Sequence, residues 1–190
     1  MIHSSLESAA KEVPLAIEWR AFELRPQESR SPDDEREMAE KKKQIDAFWP
    51  RVEKIAKEVY GLTRITRGLW GIDTRLAHVG AKVAREAGVE DGYHLRVFEA
   101  HWVDQKDISQ PGVLAEIAAD LGVDRESFAR SLETEELTAK VLAEEMEAHR
   151  LGINGVPAVI IDRRYLISGA QPKETLVRVF RQYAEQGRLD

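Results

Sequence analysis

The sequence predicts an α/β fold in which a small β-sheet carries a large helical insertion. Apolar and polar residues alternate along residues 13–24, which is typical of a strand with one buried face. A long block with helical spacing follows over residues 31–151. Two short apolar runs, at residues 156–162 and 165–168, and an amphipathic helix end the chain. This order of elements predicts helices packed on a central sheet.

The N-terminal part predicts a short helix over residues 4–12 and then the first strand. Leu15, Ile17, Trp19 and Ala21 occupy alternate positions of that strand, and Pro26 ends it because proline cannot donate to a sheet ladder. We expect the sheet to consist chiefly of residues 16–24, 158–161 and 165–168.

The middle of the chain predicts a series of helices. Ser31 is a suitable N-cap with Pro32 at the first helical position, and Trp49-Pro50 is expected to break or kink this first helix. Further helices are expected over residues 74–87, 91–103, 111–121, 124–132 and 135–151. Their apolar stripes should form a compact core that includes Phe98, Leu114 and Ile117.

The last forty residues predict a β-hairpin followed by a helix. The β-branched run after Pro157 favours a buried strand, Arg163-Arg164 favours a tight turn, and a second strand follows. Pro172 then begins a helix with Leu176, Val179, Phe180 and Tyr183 on one side.

Several of these segments together resemble the DsbA-like thioredoxin family, and within it the FrnE-like disulfide oxidoreductases. They are Gly155-Val156-Pro157, a hairpin with Tyr165 in its second strand, Gly169-Ala170-Gln171, the strand at residues 17–26, and Thr74-Arg75-Leu76-Ala77-His78. The resemblance implies a thioredoxin-like sheet with a large helical insertion. It assigns residues 1–30 and 150–190 to the thioredoxin-like core and residues 31–149 to the insertion.

One departure from the family bears directly on function. In these relatives a first strand and a Cys-x-x-Cys motif precede the first helix, whereas this sequence begins essentially inside that helix and contains no cysteine. Disulfides, thiolate metal sites and a cysteine nucleophile are therefore excluded within these 190 residues. Two explanations remain open: truncation relative to the relatives, or a genuine loss of redox chemistry with retention of a binding surface.

The resemblance also suggests where a substrate would bind. It implies a cis Val156-Pro157 bond in a loop that, with Gly155, offers backbone groups to an extended peptide or a small thiol compound such as glutathione. Gly169 and Gln171 lie at the position that resembles a Ser-Asp-Arg group in glutathione-using isomerases and transferases. Here that position reads Ala170-Gln171-Pro172, which lacks the charges and argues against glutathione; a plain helix start is the competing interpretation.

Three further residues are candidate contacts on the helical side. Arg75 and His78 lie three positions apart and share a helix face, where they could meet an acidic ligand, although capping or burial is the commoner role. Trp70 lies between two glycines and could line a groove or simply pack. Asp73 is expected to cap the following helix. Glu144, Glu145 and Glu147 are interpreted as a solvated helix face.

Composition and charge exclude other classes of function. The net charge of −6 offers no basic surface for nucleic acid, and no apolar stretch approaches the ~20 residues that span a bilayer. No signal peptide is visible, so a cytoplasmic protein is expected. The five histidines show no metal-binding spacing, and neither a metal nor a cofactor is expected.

The functional hypothesis is a redox-inactive member of the thiol-disulfide oxidoreductase family. The alternatives are a non-catalytic peptide-binding module that uses the cis-proline groove, and a glutathione-dependent isomerase or transferase. Because the family's first strand lies between the strands at residues 16–24 and 158–161, its absence leaves a gap. We expect that gap to close, to open to solvent, or to be covered in a homo-oligomer.

Overall fold

The computed structural model describes residues 1–24, 26 and 32–185. Eight helices and two strands follow one another in this part of the chain. They are α1 (Ile2–Ala10), α2 (Pro32–Tyr60), α3 (Arg75–Glu86), α4 (Glu90–Trp102), α5 (Pro111–Ala119), α6 (Arg125–Ser131), α7 (Glu135–Arg150), β1 (Ala158–Ile161), β2 (Tyr165–Ser168) and α8 (Lys173–Glu185). Within the described ranges no helix is both long enough and apolar enough to cross a membrane.

The two strands form the predicted antiparallel hairpin. Ala158 lies opposite Ser168 and Ile161 opposite Tyr165. The tight turn lies one residue earlier than expected: Asp162 and Arg163 hold φ angles of 48° and 53°, and the Arg164 N–H donates to the Ile161 carbonyl at 3.0 Å. Positive φ at two successive residues suits the right-handed twist of the strands that they join.

The hairpin, α1 and α8 share one hydrophobic core. Helix α8 contributes its amphipathic face, and α1 packs against it. The buried members are Leu6, Ala9, Val13, Ile161, Leu176, Val177, Phe180 and Tyr183. The helix predicted after Pro172 therefore buries the side that its spacing indicated, with Val179 partly buried at the margin.

Helices α3 to α7 enclose a second, larger core. Its fully buried side chains include Tyr93, Phe128, Leu114, Val79 and Val141. Gly80 permits the close approach of α3 and α4, since a Cβ at that position would lie 2.1 Å from the Tyr93 hydroxyl. Ala21, from the N-terminal stretch, also belongs to this core. The proposed division into residues 31–149 and the remainder stays a prediction.

The strand expected at residues 16–24 is absent. This segment is extended, as the alternating pattern indicated, but it pairs with no strand in the described part of the chain. Alternation specifies an extended backbone with two different faces, whereas a strand also needs a neighbour for its ladder. In the described residues no strand lies beside this segment to supply such a ladder.

One expectation about the helical block was wrong in part and another was wrong. Helix α2 runs through Pro50 as one element, so the expected break at Trp49-Pro50 is absent, while the alternative of a kink there stays a prediction. Phe98, which was expected in the core, is 44% exposed, while Leu114 and Ile117 are buried. Tyr93, Val97 and Ala100 form the buried face of α4, and at 100° per residue Phe98 lies on the other side of the helix. The expected N-cap Ser31 lies outside the described residues.

We expect Leu114→Ala to lower the free energy of unfolding by about 2–5 kcal/mol, because it leaves a cavity in a fully buried site. The matched variant Phe98→Ala should cost much less, since almost half of that side chain is exposed. Urea denaturation of both variants measures the difference. Equal losses would contradict the assignment of the core.

Candidate functional site

The loop before β1 carries the candidate substrate-binding residues. The Val156-Pro157 peptide bond is cis, as predicted. The Pro157 carbonyl accepts the Gly169 N–H at 2.9 Å, which ties the loop to the residues that follow β2. Val156 itself is 51% exposed, so the loop presents this residue to solvent beside the first strand.

The outer edge of β1 is the most distinctive feature near this loop. In an antiparallel pair every second residue bonds to the facing strand, and Pro157 accepts a hydrogen bond from Gly169. Val159 and Ile161 therefore bond to β2 as well, and the backbone groups of Ala158 and Ile160 point away from β2. Among the described residues, none is hydrogen-bonded to those outward groups. We call the outward N–H and C=O groups of Ala158 and Ile160 the β1 edge.

The other candidates of this region lie close to β2. Gly169 has a φ of 81°, and the Gln171 side-chain amide donates to the Ser168 carbonyl at 3.2 Å. Gly155 precedes the loop, with no atom within 4 Å of the place where a Cβ would stand. Their role in ligand binding stays a prediction, as does that of Val156 and Pro157.

Arg75 and His78 face the extended segment at residues 16–24. The Arg75 guanidinium bonds the buried Glu23 carboxylate, with Nη2 2.7 Å from Oε2 and Nε 3.3 Å from Oε1. Loss of hydration lowers the pKa of the enclosed His78 imidazole to about 4. A hydrogen bond with the Phe22 backbone raises this pKa, but its effect is smaller than that of burial. Trp70 is partly buried in the loop before α3. Asp73 accepts the Arg75 N–H at 2.9 Å, but the N-cap of α3 is Thr74, so the prediction of Asp73 as the capping residue is wrong by one position.

Two glutamates that sequence reasoning assigned to a solvated face are buried. Glu144 Oε2 accepts the Ala21 N–H at 2.7 Å, and Glu145 Oε1 accepts the Glu23 N–H at 3.1 Å. Glu147, in contrast, is half-exposed as expected. The carboxylates of α7 thus take backbone donors that a neighbouring strand would otherwise satisfy.

A buried lysine balances the charge of Glu144. Lys82 Nζ lies 2.6 Å from Glu144 Oε2 and 2.7 Å from Oε1, and both side chains are less than 10% exposed. Loss of hydration raises the pKa of Glu145, and the neighbouring Glu23 carboxylate adds to the rise. A signal was present in the sequence, because Lys82 is the one charged residue in a run of small and apolar residues from Val79 to Ala84.

Three rings contact one another beside the first turn of α1. His3 lies 5.2 Å from Trp19 and Trp19 lies 5.2 Å from His94, between ring centroids. The Trp19 indole N–H donates to Asp91 at 3.0 Å. Burial lowers the pKa of His94. In the described part of the chain, no three acidic or histidine side chains converge as a metal site would require.

We expect Glu144→Ala to cost about 3–5 kcal/mol of stability, because it leaves Lys82 buried without a counter-charge. The control Glu147→Ala removes a half-exposed carboxylate of the same helix and should change stability by less than about 0.5 kcal/mol. The double variant Lys82→Met/Glu144→Met should recover part of the loss, since neither charge then remains buried. Thermal or urea unfolding gives all three values, and a double variant no more stable than Glu144→Ala would contradict the pairing.

Stability should also fall as the pH is lowered from 7 to 5. Below its ordinary pKa of 6.5 the His78 imidazole of the unfolded chain takes up a proton, while the folded protein resists protonation until about pH 4. This difference should remove roughly 2 kcal/mol between pH 7 and pH 5. Urea unfolding at both pH values measures the change, and His78→Gln should show a correspondingly flatter dependence. An unchanged slope in that variant would rule out His78 as the source.

Comparison with known proteins agrees with this geometry. The family model of the DSBA-like thioredoxin domain matches residues 1–181. YwbO of Bacillus subtilis (strain 168), an uncharacterized protein, is 28% identical over 174 residues, which are 90% of this chain and 84% of YwbO.

Two solved structures are similar over nearly the whole chain. A protein described as a probable DsbA oxidoreductase, SCO1869 from Streptomyces coelicolor, has a TM-score of 0.79 and 26% identity, and the match covers 96% of this chain and 83% of that one. The cytosolic disulfide reductase DsbM from Pseudomonas aeruginosa has a TM-score of 0.60 and 22% identity over 99% and 92% of the two chains, which shows that the fold is shared. This cysteine-free chain therefore belongs to the DsbA-like thioredoxin-domain family.

Proposed function

We propose that this chain is a redox-inactive DsbA-like domain that binds an extended peptide segment at the β1 edge. Thiol-disulfide exchange requires a thiolate, and these 190 residues contain no cysteine to supply one. Peptide binding by strand addition needs no sulfur, because it depends on backbone N–H and C=O groups.

The observation that carries the proposal is the set of unpaired backbone groups on β1. Ala158 and Ile160 together offer two N–H donors and two C=O acceptors in the spacing of a strand. An exposed strand edge of this kind is a template for an added strand, and each hydrogen bond contributes on the order of 0.5–1.5 kcal/mol.

The side chains beside this edge indicate which peptides would bind. Val156, Ile160 and Leu166 are exposed by 51%, 38% and 49%, and Ile160 lies directly opposite Leu166 in the hairpin. A segment laid along β1 would cover apolar surface with every second side chain. We therefore infer that the bound segment is extended and carries apolar residues at alternate positions.

The alternative of a glutathione-dependent isomerase or transferase has less support in the site. Gln171, where a charged group would face the glutamyl end of glutathione, instead donates to the Ser168 carbonyl. Small thiol compounds are a separate outcome of the binding experiment below. A homo-oligomer that pairs strands at this edge would use the same backbone groups, with a segment of a second copy in place of the peptide.

A cytoplasmic location is part of the same proposal. The cytosolic reductase DsbM shares the fold, so the fold is compatible with that compartment. Nucleic acid and membrane are not expected partners of a chain with a net charge of −6. Fractionation of cells that produce the protein would test the location.

The decisive variant is Ile160→Pro. Because the Ile160 N–H points away from β2, proline removes a donor from the β1 edge while it leaves the hairpin ladder intact. Ile160→Val keeps the donor and is the matched control. The probe is a fluorescent insulin B chain, reduced and S-alkylated so that it contains no thiol, and its binding is followed by anisotropy.

We expect the wild-type chain and Ile160→Val to bind this probe and Ile160→Pro to bind it at least about tenfold more weakly. Circular dichroism verifies that the variants fold. No binding by the wild-type chain, or equal binding by Ile160→Pro, would refute the proposal. Saturable binding of glutathione in a parallel titration would favour the glutathione-dependent alternative instead.

A further inference from the structure

Helix α2 carries an exposed apolar stripe that the described part of the protein does not cover. Ile45, Phe48, Ile55 and Val59 are exposed by 37%, 51%, 37% and 50%, and Val52 between them is partly buried. Their spacings of three, four, three and four residues follow a heptad pattern with alternate core positions. We call these five residues the α2 seam.

The seam is distinct from the face by which α2 contacts its own chain. That face lies further round the helix, where Ala56 is fully buried and Trp49 stacks on Trp102 with ring centroids 6.4 Å apart. Asp46 adds an ion pair with Arg67 on the same side. At 100° per residue the centre of the seam is roughly a quarter-turn away from these contacts. A stripe of this kind normally packs against another helix.

Charges beside the seam identify the partner that fits. Arg51 and Glu58 are exposed and lie one heptad apart on the flank away from Trp49. In an antiparallel pair of two α2 helices, equivalent flanks meet, so Arg51 of each copy lies near Glu58 of the other. In a parallel pair Arg51 would instead face the position of Ala56, which has no charge. The charges therefore favour an antiparallel arrangement of two identical helices.

We propose that the α2 seam is a homodimer interface in which two copies of this chain pair their α2 helices antiparallel. In this register Val52 packs against Ile55 of the second copy and Phe48 against Val59, so these four residues cover one another symmetrically. Ile45 lies at the margin, beyond the end of the partner helix at Tyr60. The inference is independent of peptide binding, because α2 and β1 share no residue.

Sedimentation of the purified chain over a wide concentration range tests the proposal through charge reversal. Arg51→Glu and Glu58→Arg each place like charges opposite one another in the antiparallel pair, and each should weaken dimerisation about tenfold or more. The double variant Arg51→Glu/Glu58→Arg restores both pairs and should dimerise like the wild-type chain. Lys57→Glu, an exposed position on the opposite side of α2, is the control and should leave dimerisation unchanged.

All of these positions are exposed, so the variants should fold, and circular dichroism verifies it. A wild-type chain that stays monomeric at every concentration would overturn the proposal, as would a dimer that ignores the charge reversals. A dimer that Ile160→Pro dissociates would also overturn it, because the β1 edge would then be the interface.

Discussion

The extended segment at residues 16–24 must satisfy its backbone without a neighbouring strand, and the rest of the structure depends on how it does so. Glu144 and Glu145 reach from α7 to the N–H groups of Ala21 and Glu23. A buried N–H without an acceptor costs on the order of 1–3 kcal/mol, so these carboxylates stabilise a conformation that would otherwise be unfavourable. Their own burial is in turn compensated by Lys82 and by the backbone donors.

This arrangement connects the two hydrophobic cores. Ala21 is buried among the helices α3 to α7, while Leu15 and Trp19, a few residues earlier, pack against the core of α1, α8 and the hairpin. Arg85 donates to the Trp19 carbonyl at 2.6 Å, which fixes the segment from the helical side as well. One short stretch of chain thus connects the helical insertion to α1 and the hairpin. None of these contacts uses the β1 edge.

Much of the fold could be predicted because its signals are local. The hairpin, the cis Val156-Pro157 bond and the helices from α3 to α8 follow from apolar periodicity, turn residues and family-like segments that lie within a few residues of one another. The pairing of residues 16–24 could not be predicted in this way, because it depends on a strand elsewhere in the sheet. The burial of Glu144 and Glu145 was missed for the same reason: on their own helix they look like any charged face, and their partners lie elsewhere in the chain. These partners are Lys82 of α3 for Glu144 and the Glu23 N–H for Glu145. The continuity of α2 through Pro50 shows that a single lost hydrogen bond need not end a long helix.

The buried pair of Lys82 and Glu144 also limits how α3 and α7 can align. Small apolar side chains such as those of α3 fit a facing helix almost equally well after a slide of one turn, because each shifted contact resembles the one it replaces. A buried ammonium group tolerates no such slide, since a displacement of about 5 Å would leave both charges without partners in an apolar interior. A polar contact that adds little net stability can therefore select one register of two helices from several that hydrophobic packing alone would accept.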